Sequence, residues 1–146
     1  MISTKGRYAL RFMIDLAEQP EGIPIPLIDI AERQNISKKY LEIIVKELTK
    51  AKYVKGTSGK GGGYYLLKDP TDITVGEILE LLEGTLAPVA CLQQGAEECS
   101  YEKSCQTLPM WKEFNELVHN FFFGKKISDL ADLSKRNMDP TKYSCL

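Results

Sequence analysis

Three cysteines fall in one short stretch, Cys91-x7-Cys99-x5-Cys105. Thiolates are soft ligands, and in an irregular segment the backbone can fold them around one iron–sulfur or metal centre. Three ligands are one short of a complete set. The fourth position is open to Glu97, Glu98 or Glu102, to Cys145 near the C-terminus, to a group from a second protomer or to an exogenous ligand. His119, the only histidine, shares a helical face with Lys112, Asn115 and Glu116 and reads as a solvated side chain. A structural zinc site ordinarily wants four closed ligands and paired C-x2-C spacing, neither of which is present. A thiol redox switch needs no fourth ligand, although its acidic neighbours Glu97, Glu98 and Glu102 would be expected to work against a reactive thiolate. Cysteines that merely pack as small hydrophobes are the remaining alternative.

A second chemistry is carried by lysines. The net charge of −1 hides an asymmetry: residues 1–70 hold twelve Lys/Arg against eight Asp/Glu, and residues 71–146 hold seven against twelve. Between 36 and 60 the lysines at 38, 39, 46, 50, 52, 55 and 60 face only Glu42 and Glu47. Solvated lysines would give the same count, but a basic stripe of this density suits a polyanion such as a nucleic-acid duplex.

The elements that must position these groups follow from periodicity. Tyr8/Ala9, Phe12/Met13 and Leu16/Ala17 predict a helix over 4–18 behind Ser3 as cap. Leu27, Ile30 and Ala31 mark a short helix over 26–34, with Pro26 suited to its first position. After the turn at Asn35-Ile36, Ser37 caps a third helix whose core stripe is Leu41, Ile44, Val45 and Leu48. Its opposite face begins with Lys38, Lys39 and Glu42. Strands at 53–55 and 64–67 flank a glycine-rich tip, Gly56 to Gly63, which carries Ser58 and Lys60. This is the layout of a winged helix-turn-helix. A phosphate-cradling loop is excluded by spacing, since Lys60 is followed by Gly61.

Beyond Asp69-Pro70, Thr74 and Glu77 form a capping box with Ile73 and Ile78 as its staple, predicting a helix over 75–83 that ends at Gly84. Periodicity then vanishes through Thr107. Pro109 opens a longer helix to Phe123, in which Trp111, Phe114, Leu117/Val118 and Phe121/Phe122 make a broad apolar band. Such a band in so small a protein suits a partner surface, and helix-turn-helix proteins read paired half-sites as two-fold dimers. An intramolecular core is the alternative. The expected fold is mainly α with a small β-hairpin, divided into a DNA-binding head (1–70), a segment with helix, cysteine loop and dimerisation helix (71–133), and a tail (134–146).

Ser3-Thr4-Lys5-Gly6-Arg7-Tyr8-Ala9, Ile30-Ala31-Glu32-Arg33-Gln34-Asn35-Ile36-Ser37, Tyr40-Leu41-Glu42, Gly61-Gly62-Gly63-Tyr64 and Ile73-Thr74-Val75-Gly76-Glu77 occur in that order. In order and spacing they resemble the bacterial winged-helix regulators typified by IscR, with NsrR and CymR as relatives, over about residues 1–133. The resemblance implies a homodimer that sets the wing and third helix on an operator. It also implies, in cluster-binding members, a [2Fe–2S] cluster held by cysteines matching Cys91, Cys99 and Cys105. Some relatives work without a cluster. The histidine that can complete the site three residues after the third cysteine is here Leu108. A wing arginine is replaced by Ser58, with Lys60 nearby to supply charge. Lys38 and Lys39 replace smaller or neutral residues, and Ile43 stands where a polar base-reading side chain occurs, so the relatives' operator is not carried over.

The DNA contacts expected on these grounds come from Lys5, Arg7, Ser37, Lys38, Lys39, Tyr40, Glu42, Ser58 and Lys60. Lys5 and Arg7 suit phosphates that set register without reading sequence. No nucleophile–histidine constellation, H-E-x-x-H or dinucleotide fingerprint points to an enzyme. No run of about 18 apolar residues spans a bilayer, and no signal-peptide pattern opens the chain, so a cytoplasmic protein is expected. A cluster-free thiol-sensing regulator and a protein-binding adaptor that leaves DNA untouched are the competing readings.

Overall fold

The computed structural model describes residues 2–137. Helix α1 (Thr4–Ala17) starts where Ser3 Oγ accepts the Gly6 N–H at 3.2 Å and ends at Glu18 as cap. It is the central strut. Ala9, Phe12, Met13, Leu16 and Ala17 are buried along it, because apolar residues at helical spacing share one face.

Helix α2 (Leu27–Gln34) follows, and Pro26 stands at its cap, one position earlier than expected. The reason is local: Pro26 has an extended ψ of 136°, and its carbonyl accepts the Asp29 and Ile30 N–H groups. Asn35 closes α2 in the left-handed region (φ 52°, ψ 48°), which Asn tolerates better than most residues. Helix α3 (Lys38–Lys50) begins with Ser37 Oγ accepting the Tyr40 N–H at 3.1 Å and buries Leu41, Ile44, Val45 and Leu48.

Strands β1 (Val54–Thr57) and β2 (Gly63–Leu66) pair antiparallel in the register Val54↔Leu66 to Thr57↔Gly63. The hairpin reaches further into the glycine tip than its apolar residues suggested, since Gly56 and Thr57 extend β1 while Tyr53 and Leu67 fall outside the strands. A third segment joins the pair: Ile25 N–H donates to Tyr64 O at 2.9 Å, and Tyr64 N–H to Ile25 O at 2.8 Å. The wing is thereby tied to the segment that leads into α2.

After a 3-10 turn at Pro70–Asp72, the capping box forms as expected: Thr74 N–H donates to Glu77 Oε2 at 2.7 Å and Glu77 N–H to Thr74 Oγ1 at 3.1 Å. Helix α4 (Val75–Glu83) runs from it and packs on α1. Thr74→Ala is expected to cost about 1 kcal/mol of stability, read from urea unfolding, the usual loss for such a cap.

Helix α5 (Leu108–Phe123) starts one residue before Pro109. It crosses α4 at Gly76, where a Cβ would lie 2.4 Å from the Phe123 ring. The short helix α6 (Ile127–Leu130) returns to the core through Ile127 N–H donating to Ile73 O at 2.9 Å. One hydrophobic core runs from Ala9 through Ile127, drawing on both expected segments, 1–70 and 71–133. Cys145 lies outside the described residues.

Candidate functional site

The exposed face of α3 carries Lys38, Lys39, Glu42, Lys46 and Lys50, while its buried face is wholly apolar. Lys38 Nζ stands 3.9 Å from Glu42 Oε1, a solvated pair of little energetic weight that leaves both groups accessible. Lys39 is exposed. Tyr40 is half-buried, and its ring meets that of Tyr8 edge-on at 5.6 Å. Arg11 lies over the Tyr8 ring at 5.4 Å and also donates to the Gln34 carbonyl. Thus α1 grips the start of α3 and the end of α2 through two side chains: Tyr8, expected on the apolar face of the helix, and Arg11, to which the sequence assigns no role.

Of the residues expected on phosphates, Arg7 is exposed and donates to Thr4 Oγ1 at 3.3 Å. Lys5 is placed differently: its ammonium is paired with Glu47 of α3, and the side chain is partly buried. It joins α1 to α3. Ser37 serves as the cap described above and remains exposed. Ser58 and Lys60 are exposed at the hairpin tip, which is shaped by Gly59 (φ 86°) and Gly61 (φ 77°) in a region that side chains with a Cβ rarely enter.

A buried network sets the angle between the first two helices. Asp15, 3% exposed, accepts from Arg33 Nε at 3.1 Å, from the Arg33 terminal nitrogen at 2.7 Å and from Gln34 Nε2 at 2.8 Å. The bidentate hydrogen bond to Asp15 holds the Arg33 pKa above its ordinary value, against the opposing effect of burial. Residues 15 and 33 fall on different helices, and no local pattern announces the pair.

The cysteines lie between α4 and α5. Cys91 sits in a 3-10 turn (Ala90–Leu92) and is exposed, as is Cys99; Cys105 is half-exposed beside the start of α5. Among the described residues no three His, Cys, Asp or Glu side chains are drawn together as a metal cluster. The donors still fit an iron–sulfur group in kind: three free thiols, reachable from solvent, in a segment with no fully buried residue to hold its path. Leu108 is 9% exposed in the first turn of α5 and packs as an apolar residue.

Contrary to the effect expected from the acidic neighbours, the Thr107 hydroxyl, 3.5 Å from Cys105 Sγ, holds that thiol below the ordinary cysteine range, with help from the Thr107 and Leu108 backbone. Thr107→Ala is therefore expected to slow alkylation of Cys105 by iodoacetamide at neutral pH without changing Cys91 or Cys99, as followed by peptide mass spectrometry.

His119 is exposed, as its helical face suggested, and stacks on Phe123 at 4.3 Å. It also borders a cleft of about 640 Å³ shared with Glu83, Leu92 and Gln93, so it lies nearer the cysteine segment than sequence distance implies. At the end of α4, Glu83 Oε1 accepts from Ser3 N–H at 2.9 Å and Ser3 Oγ–H at 2.7 Å. The residue that leads into the cysteine segment is thus bonded to the cap of α1. On α5, Met110, Leu117 and Phe121 are 52–61% exposed and lie along one face. No helix among the described residues is long and apolar enough to cross a membrane.

Comparison with known proteins places this geometry in a family. The profile of Rrf2, described as an iron-dependent transcriptional regulator, matches residues 2–133. The HTH-type transcriptional regulators IscR of Serratia proteamaculans and Klebsiella pneumoniae are 35% and 36% identical over 131 residues, covering 90% of this chain and 79% of theirs. CymR, the global cysteine regulator of B. subtilis, superposes with a TM-score of 0.73 at 37% identity, covering 90% of this chain and 95% of its own. The T. potens IscR structure gives 0.66 at 31% identity, covering 98% and 96%. These relatives are named as regulators of transcription and not as enzymes. On the match to its profile and on these identities, the chain belongs to the Rrf2 family of transcriptional regulators.

Proposed function

We propose that the protein is a cytoplasmic homodimer that binds a double-stranded operator through α3 and the wing. Its affinity for that operator is governed by an iron–sulfur cluster, of the [2Fe–2S] type, on Cys91, Cys99 and Cys105. The observation that carries the DNA reading is the division of α3 into an apolar buried face and a lysine-bearing exposed one, beside a wing tip that presents Ser58 and Lys60. Lysines neutralise phosphates and release counterions, while a helix in the major groove reads base edges. A second protomer supplies the second α3, so that paired half-sites are read together. The exposed stripe of Met110, Leu117 and Phe121 supports α5 as the seam between protomers.

A bound cluster supplies an oxidisable centre whose presence follows iron and sulfide supply. The chain's own part is to order the loop and pass that order on. Glu83 terminates α4 immediately before the loop and holds the Ser3 cap, so a loop pulled into one arrangement restrains the start of α1 through a single carboxylate. From α1, Tyr8 and Arg11 bear on Tyr40 and Gln34 of the helix-turn-helix. Affinity then depends on how often the two α3 helices occupy the spacing the operator requires.

Visible absorption with iron and sulfide assays on protein purified without oxygen tests the cluster. A coloured protein that turns colourless as the Cys91/Cys99/Cys105 triple-Ala variant is expected. A colourless, iron-free wild type would favour a thiol switch, for which Cys105 with its lowered pKa is the entry point. Among its relatives, S. aureus CymR has a solved structure described as an oxidized form. Salt titration of operator binding tests the DNA reading: log affinity should fall linearly with log salt, whereas an adaptor shows no duplex binding. Leu117→Glu with Phe121→Glu should yield a monomer in sedimentation, while leaving the fold of each head intact.

A further inference from the structure

The face of α3 directed away from the core consists, at helical spacing i, i+4, i+7 and i+11, of Lys39, Ile43, Lys46 and Lys50. Three of these are cations suited to phosphate. The fourth is an isoleucine, 52% exposed, one turn beyond Lys39. It contributes nothing to the core formed by Leu41, Ile44, Val45 and Leu48, and its exposed neighbours Glu42 and Lys46 are charged. An apolar side chain in the middle of a basic stripe gains nothing from phosphate or from water. On a helix lying in the major groove, the one apolar group that base edges offer is the thymine C5-methyl.

We infer that Ile43 is a specificity-determining residue that selects a thymine in each half-site by contact with its C5-methyl group. This rests on the DNA-binding reading of α3 given above. Lys39 and Lys46 flank Ile43 on the same face and fix the helix on the backbone, so that the branched side chain meets the base edge. Closing the contact removes methyl and isoleucine surface from water, and deleting one buried methyl-sized group should weaken binding about fourfold.

The test uses the full-length protein, wild type and Ile43→Ala, in selection from random duplexes, followed by binding to the selected operator. Each thymine of that operator is replaced singly by uracil, a change that deletes one C5-methyl and leaves every base-pair hydrogen bond in place. The expected result is one thymine per half-site whose replacement weakens the wild type about fourfold and leaves Ile43→Ala unchanged. Ile43→Ala should lose the thymine preference at that position while keeping the wild-type salt dependence, because the lysines are untouched. The inference is overturned if no uracil replacement affects the wild type, or if the same replacement weakens both proteins equally. Salt-dependent operator binding in either case would leave the DNA-binding reading standing. Absence of any salt-dependent duplex binding overturns both. Circular dichroism confirms that the exposed substitution leaves the fold in place.

Discussion

Arg33→Met is expected to lower the free energy of unfolding by about 3–5 kcal/mol, the range for stripping the partner from a buried charge. That is a large fraction of the about 5–15 kcal/mol that holds a domain of this size together. Asp15 is 3% exposed and accepts two bonds from Arg33 and one from Gln34. Without the guanidinium its carboxylate remains inside with a single neutral donor. Asp15→Ala should cost less, about 2 kcal/mol, because the Arg33 side chain is already 34% exposed and can turn to water. The more exposed partner is therefore the more damaging one to remove. Urea unfolding of the two variants, followed by far-UV circular dichroism, measures this ordering. Equal losses would mean that Asp15 regains solvent through movement of α2.

Gly63→Val should detach the wing. A Cβ at Gly63 would lie 2.3 Å from both the carbonyl carbon and oxygen of Ile25, and backbone atoms cannot swing aside as a flexible side chain can. Either the two Ile25–Tyr64 hydrogen bonds break or β2 shifts relative to α2. Breaking them sacrifices two backbone bonds at about 1 kcal/mol each. The larger consequence is for DNA, since the tip that presents Ser58 and Lys60 loses its fixed position. Operator affinity at about 0.1 M salt should drop by roughly tenfold or more, the loss of about 1.4 kcal/mol or above. Gly59→Ala is the control. Its φ of 86° makes alanine costly by about 1 kcal/mol, yet a Cβ there meets nothing within 4 Å, so affinity should change little. A loss of affinity at Gly59 as large as that at Gly63 would show that tip conformation, and not the anchorage at Ile25, governs binding.

Features that depend on neighbours in sequence are legible in the sequence itself. The α3 stripe, the Ser37 cap and the Thr74/Glu77 box each involve residues no more than a few turns apart, and all three formed where expected. The hairpin could be placed but its register could not, because Gly56 and Thr57 enter the ladder through backbone pairing that their side chains do not advertise. Pro26 suits either the cap or the first turn of a helix, and the choice followed from its ψ and the bonds its carbonyl accepts. The Asp15–Arg33, Lys5–Glu47, Ser3–Glu83 and Ile25–Tyr64 contacts join residues far apart along the chain. Periodicity is silent about such pairs, since any carboxylate on a suitable face could have served in the first three and the fourth is made by backbone alone. The cysteine segment stands out by composition and spacing, and its reading as a cluster site draws also on the resemblance to cluster-binding regulators.

From Thr85 to Thr107 no described side chain is fully buried. Little free energy opposes opening of such a stretch, which makes it the natural first point of protease entry and of amide exchange. Length there is also nearly a free variable. The entropy of bringing the ends of a flexible segment together grows only with the logarithm of its length, about 0.6 kcal/mol per doubling. Residues inserted between Cys91 and Cys99 would therefore alter closure by a fraction of a thermal stability increment, whereas the Glu83 carboxylate at the root of the segment allows no such latitude. What this stretch can do resides in the identity of its side chains and in the point where it is anchored, and hardly at all in the path between them.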